Sequence, residues 1–98
     1  IQLGVNEMQY SLSETIYNYK KIQITIFDGN NAIYRAYCRL NVSLIEGERY
    51  ICIPLIYSSS WYSYVFVKFK SGTVITAATT GHGSSGWNNP WLRINGIV

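Results

Sequence analysis

In KKIQITIFDGNN, residues 20–31, the apolar side chains of Ile22, Ile24 and Ile26 alternate with Lys21, Gln23 and Thr25. A period of two sends successive side chains to opposite faces of a sheet, so this stretch is a strand with one buried and one wet face. It runs into Asp28-Gly29-Asn30-Asn31, where Gly and Asn accept the positive φ of tight turns, and a hairpin is predicted. The return arm, residues 32–40, then places Tyr34, Ala36, Cys38 and Leu40 on one face. Ile33, Arg35, Tyr37 and Arg39 fall on the other, with the two arginines marking the solvent side. Ahead of the strand, Ser13-Glu14-Thr15-Ile16-Tyr17-Asn18-Tyr19 offers Ser13 as an N-cap and an acidic residue at the positive end of a helical turn. One turn of helix or 3₁₀ is predicted there, and no more.

Working outward, an alternation at Met8, Tyr10 and Leu12 predicts a first strand, with Gly4 and Asn6 marking loop before it. Residues 41–49 form a connector with a short strand expected at 42–45, ended by Glu46-Gly47-Glu48. The apolar run YICIPLIY, residues 50–57, fits a strand covered on both faces, but Pro54 lacks an amide donor and argues for an edge or a bulge. After the break at Ser58-Ser59-Ser60, residues 63–70 put Val65, Val67 and Phe69 inward against Tyr64, Phe66, Lys68 and Lys70. Ser71-Gly72 turns the chain into residues 73–80, a partner strand rich in β-branched residues. Residues 81–90 read as a loop, and residues 92–98 as a last strand interrupted at Asn95-Gly96. About seven short strands with no long helix predict an all-β protein, a single antiparallel β-sandwich occupying residues 1–98 as one domain.

Charged residues make up only 13% of the 98 residues, about half the usual share, whereas Tyr occurs nine times and Trp three times. So little charge protects a surface poorly against association, and an oligomer is expected. The formal charge of +3 comes from scattered basic residues, with only Lys20-Lys21 adjacent and Lys68 and Lys70 on one strand face, so nucleic acid is not implied. No apolar run reaches membrane-spanning length, no signal segment opens the chain, and the start at Ile1 instead of Met reads as a piece of something longer. Cys38 and Cys52 sit in strand-like surroundings and are either two small thiols or, if their strands are neighbours, a disulfide.

Catalysis finds little support in the residues. Glu7, Glu14, Asp28, Glu46 and Glu48 fall in turns or strand ends, no Gly-rich loop opens a helix, and His82 near Ser84 and Ser85 lacks an acid partner. The expectation is a non-enzymatic protein without cofactor or resident metal. His82 could hold a metal only on a threefold axis, where three copies would supply three imidazoles; an exposed loop histidine is the plainer reading. The better constellation is aromatic. Trp61, Tyr62 and Tyr64 follow the Ser run, and Trp87 and Trp91 bracket Asn88-Asn89-Pro90 after a Gly and Ser loop. Flat rings beside short amides and hydroxyls stack on sugars and bond their hydroxyls, so Trp61, Tyr62, Tyr64, His82, Trp87, Asn88, Asn89 and Trp91 are the candidate ligand-binding residues. The opposing view is that Trp61 and Trp91 anchor the core or a subunit interface.

The run SLSETIYNYKKIQITIF, through Leu12, Ser13, Ile16, Tyr17, Asn18, Tyr19, Ile22, Ile24 and Ile26, resembles a stretch near the start of the distal, C-terminal domains of bacteriophage tail-fibre and related receptor-binding proteins. Trp91 and residues 94–97 are similar to the way such domains end; residues 41–86 share hardly anything with them. The resemblance implies a homotrimeric fibre-tip domain in the virion, assembled in the bacterial cytoplasm. Its partner would be a host cell-surface polysaccharide or outer-membrane protein, bound without membrane insertion and without nucleic acid. The alternative is a structural trimerisation or capping module that makes no receptor contact.

Overall fold

The computed structural model describes residues 1–28, 33–58, 61–82 and 90–98. Among them run seven strands, β1 (Met8–Ser11), β2 (Lys21–Asp28), β3 (Ile33–Asn41), β4 (Tyr50–Ser58), β5 (Trp61–Phe69), β6 (Val74–His82) and β7 (Pro90–Ile97). They form two antiparallel sheets, one ordered β1-β6-β5-β4 and the other β3-β2-β7, the all-β sandwich-like fold that the alternation predicts. No helix among the described residues is long and apolar enough to cross a membrane.

β2 is the central strand of its sheet, hydrogen-bonded to β3 on one side and β7 on the other. Its Ile22, Ile24 and Ile26 are buried in one cluster with Leu92 of β7, Ile53 and Leu55 of β4, Val65, Val67 and Phe69 of β5, and Ile75 and Ala77 of β6. Each large aliphatic side chain buried this way contributes about 1.5–3 kcal/mol, so this one inner face carries much of the driving force for joining the two sheets. β4 is an edge strand, one of the two placements Pro54 argues for, but it is not covered on both faces: Ile53 and Leu55 are buried while Tyr50, Cys52 and Pro54 are exposed, and its register with β5 shifts between Ile56 and Ser58.

Two corners close the sandwich. At one, Gln2 bridges Trp91, Leu3 N donates to Pro90 O (2.9 Å) and Leu92 N to Ile1 O (2.7 Å). Thr79 N then donates to Gly4 O (2.9 Å), and β1 pairs with β6. Residues 1–11 therefore pass from one sheet to the other, with Leu3 buried beneath the crossing. At the second corner the strand expected at 42–45 is instead a 3₁₀ turn, Val42–Leu44. The amide of Val42 is taken by Lys20 O (2.8 Å), and that of Ile45 closes back on Val42 O (3.1 Å), so no ladder partner is left to extend.

The predicted single turn ahead of β2 is a 3₁₀ turn, Ile16–Asn18, but its N-cap is Thr15, not Ser13. Thr15 Oγ1 accepts from Tyr17 N, while Ile16 is buried and its amide donates to Gly72 O (2.9 Å). Glu14 gathers the turn's exit by accepting from Asn18 Nδ2 (3.1 Å) and Tyr19 Oη (2.9 Å). The ring of Tyr19 then covers Gly96, where a Cβ would collide with it. Asn95-Gly96 consequently does not interrupt β7, which runs unbroken to Ile97.

Two further expectations are corrected, and of the two readings of the cysteines one is selected. The β2–β3 register shifts between Ile26 and Phe27, which pair with Ala36 and Tyr34, so one extra residue of β3 is accommodated. This bulge turns Tyr34 onto the same face as Tyr37, their ring centroids 6.0 Å apart. β6 extends through Gly81 and His82, because β5 reaches far enough to pair Ser63 and Tyr62 with them. Cys38 and Cys52 are free thiols in different sheets.

Ile24→Ala empties the centre of the core and should cost about 2–5 kcal/mol in urea unfolding. Gly96→Ala forces out the Tyr19 ring and should cost about 1–3 kcal/mol in the same measurement.

Candidate functional site

With Ser63, Val65, Val67 and Phe69 of β5 turned into the core, the pleat sends Tyr62, Tyr64, Phe66 and Lys68 to the outer face. Their rings form a ladder: Tyr62 and Tyr64 lie 6.0 Å apart edge-to-face, and Tyr64 and Phe66 lie 6.2 Å apart. Tyr50 of β4 meets Phe66 edge-on at 6.4 Å. Beside these rings the register places Ala78 and Thr80 of β6, short side chains above which the rings stand proud. Tyr62 and Tyr64 each expose a little over a third of their surface (37% and 38%) and Tyr50 about half (52%). From the core side, Thr79 Oγ1 donates to Tyr64 O (3.0 Å) and fixes the backbone under the ladder.

The polar end of the ladder is charge-compensated. Glu7 accepts from Tyr50 Oη (2.5 Å) and from Thr76 Oγ1 (3.1 Å). Lys68 Nζ sits 4.9 Å from the Tyr50 ring centroid and 3.4 Å from a Glu48 oxygen. The Tyr50 hydrogen bond holds the Glu7 carboxyl below its ordinary value, and the same bond raises the Tyr50 phenol. For Lys68, desolvation pulls the ammonium down, but Glu48 and Tyr50 outweigh it and the net shift is upward.

The opposite sheet carries a second aromatic group on its outer face. Phe27 pairs in register with Trp91 and lies edge-on to Tyr34 at 6.5 Å, and Tyr34 continues to Tyr37. Guanidinium groups cover two of these rings, Arg93 over Phe27 at 5.1 Å and Arg39 over Tyr37 at 5.4 Å. Arg39 Nε donates to Gln23 Oε1 (2.9 Å), and Gln23 Nε2 donates to Thr25 Oγ1 (2.9 Å), a relay lying over the buried Thr25.

Of the residues predicted to bind ligand, Tyr62 and Tyr64 are brought together in the ladder. Trp61 and His82 enter it only through backbone register, opposite Ser58 and Tyr62 respectively. Trp87, Asn88 and Asn89 lie outside the described residues, as do the side chains of Trp61 and His82. Trp91 belongs to the other sheet, so the predicted set does not share one face. The sequence reading passed over Tyr50, Phe66, Phe27, Tyr34, Tyr37, Arg39 and Arg93. Arg93 was accessible to it, since a residue two beyond Trp91 on a strand shares its face. Among the described residues, no three His, Cys, Asp or Glu side chains gather as a metal-holding group, and burial pushes the Cys38 thiol up, away from the reactive thiolate. Neither a protein-family model, nor a curated protein, nor a solved structure matches the chain.

The Glu7–Tyr50 pair sets a pH window. A depressed carboxyl gives stability that is complete above its ordinary 4.5 and fades as pH falls through the lowered value. A raised phenol gives stability present below 10.0 and lost as pH rises through the raised value. In thermal melts Glu7→Gln should lower Tm at neutral pH, and the two proteins should converge once the pH is well below 4.5.

Proposed function

We propose that this chain is a non-enzymatic receptor-binding domain that recognises a cell-surface glycan through the Tyr62-Tyr64-Phe66 ladder and Tyr50. The observation that carries the reading is the ladder itself: the exposed rings of Tyr62 and Tyr64 and the half-buried ring of Phe66 in a row on one strand, bordered by hydroxyls and by charges already paired. Such a surface offers flat apolar area for sugar faces, with phenol groups at its margin for their hydroxyls, at little cost in side-chain ordering. Its setting, on the resemblance of residues 11–27 and 91–97, is the distal end of a phage tail fibre, as a homotrimer that engages a host polysaccharide or outer-membrane protein.

A second reading, a trimerisation or capping module, is favoured by Val5 and Met8, apolar side chains exposed at or just before β1, an edge strand. Sedimentation together with glycan-array binding of the purified chain, before and after Met8→Glu, separates the two: a capping module dissociates on that substitution and neither protein binds glycan, whereas a receptor-binding surface on β5 binds glycan in the parent chain and still does in Met8→Glu. For the ladder, Tyr62→Ala with Tyr64→Ala should reduce binding on a glycan array or to whole cells by roughly thirtyfold, about 2 kcal/mol, with the circular dichroism spectrum unchanged. Undiminished binding by that variant would remove the ladder from the reading.

A further inference from the structure

The strands of the β3-β2-β7 sheet carry Lys21, Arg35, Arg39 and Arg93, half of the eight basic residues of the chain, against Asp28 as their sole carboxylate. Half of the basic residues that look scattered along the sequence are therefore gathered on one sheet, whereas the strands of the four-stranded sheet carry Lys68 as their one Lys or Arg. On the outer face of the basic sheet two guanidinium groups are already seated over rings, Arg93 over Phe27 and Arg39 over Tyr37. The Nε of Arg39 is held by Gln23, which fixes the plane of the guanidinium and leaves its Nη groups as donors. At the β7 margin of this sheet lies a cleft of about 320 Å³ lined by Phe27, Trp91 and Arg93 together with Ser11 and Ser13, within the range of small-ligand sites.

We infer that this face and its cleft bind an acidic polysaccharide, with Arg39 and Arg93 taking carboxylates and Trp91 packing against a sugar ring. A planar guanidinium held on an aromatic ring matches a carboxylate with two parallel N–H···O bonds, a fit that a lysine or a neutral platform does not offer. Because the rings already hold the guanidinium groups in place, binding orders few side chains. Charge complementarity selects an anion. The arrangement of the rings selects a sugar over nucleic acid: Phe27 and Tyr34 stand at 77° to one another, and guanidinium groups occupy faces of Phe27 and Tyr37 that successive bases would need for stacking. The site lies on a different sheet from the ladder and does not depend on it.

Calorimetric titration of the purified chain with polygalacturonate, inorganic polyphosphate, dextran and a thymidine oligonucleotide tests the assignment. Polygalacturonate should bind tightest, with an affinity that falls as salt rises. Arg39→Gln with Arg93→Gln should lower that affinity by about tenfold or more and flatten the salt dependence, with the circular dichroism spectrum retained. Arg39→Lys, which keeps the charge and loses the fork, should also weaken binding, and it decides the matter if the double variant does not fold. Binding of polygalacturonate should survive Tyr62→Ala with Tyr64→Ala, which separates this site from the ladder. The assignment is overturned if polygalacturonate does not bind, if polyphosphate or the oligonucleotide binds as well or better, or if the arginine variants bind like the parent chain.

Discussion

Ile22, Ile24 and Ile26 lie at the centre of the molecule, and the constraint they impose is the alternation of the strand itself. β2 is hydrogen-bonded along both edges, so its side chains can leave the sheet only upward or downward. Burying the three isoleucines against Val65, Val67 and Ile75 makes one direction the core and fixes the other as surface. A slip of one residue would exchange the two sets, putting Gln23 and Thr25 into the core, and this penalty pins the register of both neighbouring ladders.

From that commitment follow the demands at the margins. Two stacked sheets leave open corners, and here they are closed by segments whose sequences look irregular. The first residues lend their amides and carbonyls to β7 and then to β6, with Leu3 beneath, while Val42 tucks in at the other corner. Gly72 and Gly96 mark close approaches, since a Cβ at the first would strike Thr15 and the Tyr17 ring and one at the second the Tyr19 ring. The 3₁₀ turn ahead of β2 is thereby clasped by the β5–β6 turn on one side and β7 on the other.

The same alternation that fills the core also distributes the aromatic residues. Tyr62, Tyr64 and Phe66 are outside because Ser63, Val65 and Val67 are inside. Each sheet thus has an outer face bearing clustered rings, and the two differ in electrostatics: on the β5 side Lys68 is paired with Glu48, whereas on the β2 side guanidinium groups lie on the rings. A protein with few charges and many tyrosines thus has two chemically distinct outer surfaces.

How much of this was legible in the sequence depended on the range of the interaction involved. The strand at β2, the inward set of β5 and the choice of edge or bulge for β4 were written in period-two alternation and in Pro54, because those are properties of neighbouring residues on one chain. The facing of Tyr34 was not, since a bulge is created by the register of two strands and shows only when they pair. Continuity of β7 through Gly96 was equally hidden, because the ring that covers the glycine comes from far along the chain, at Tyr19. Ligand candidates drawn from composition ended on different sheets, Tyr62 and Tyr64 on one and Trp91 on the other. The sequence by itself determined where most of the strands lie and, for β2 and β5, which side of the strand seeks the core, as a consequence of local geometry and hydrophobicity. Only the tertiary structure decided which strands are neighbours, and so which rings and charges share a surface, because that choice is made by hydrogen-bond pairing and packing between segments distant in the chain.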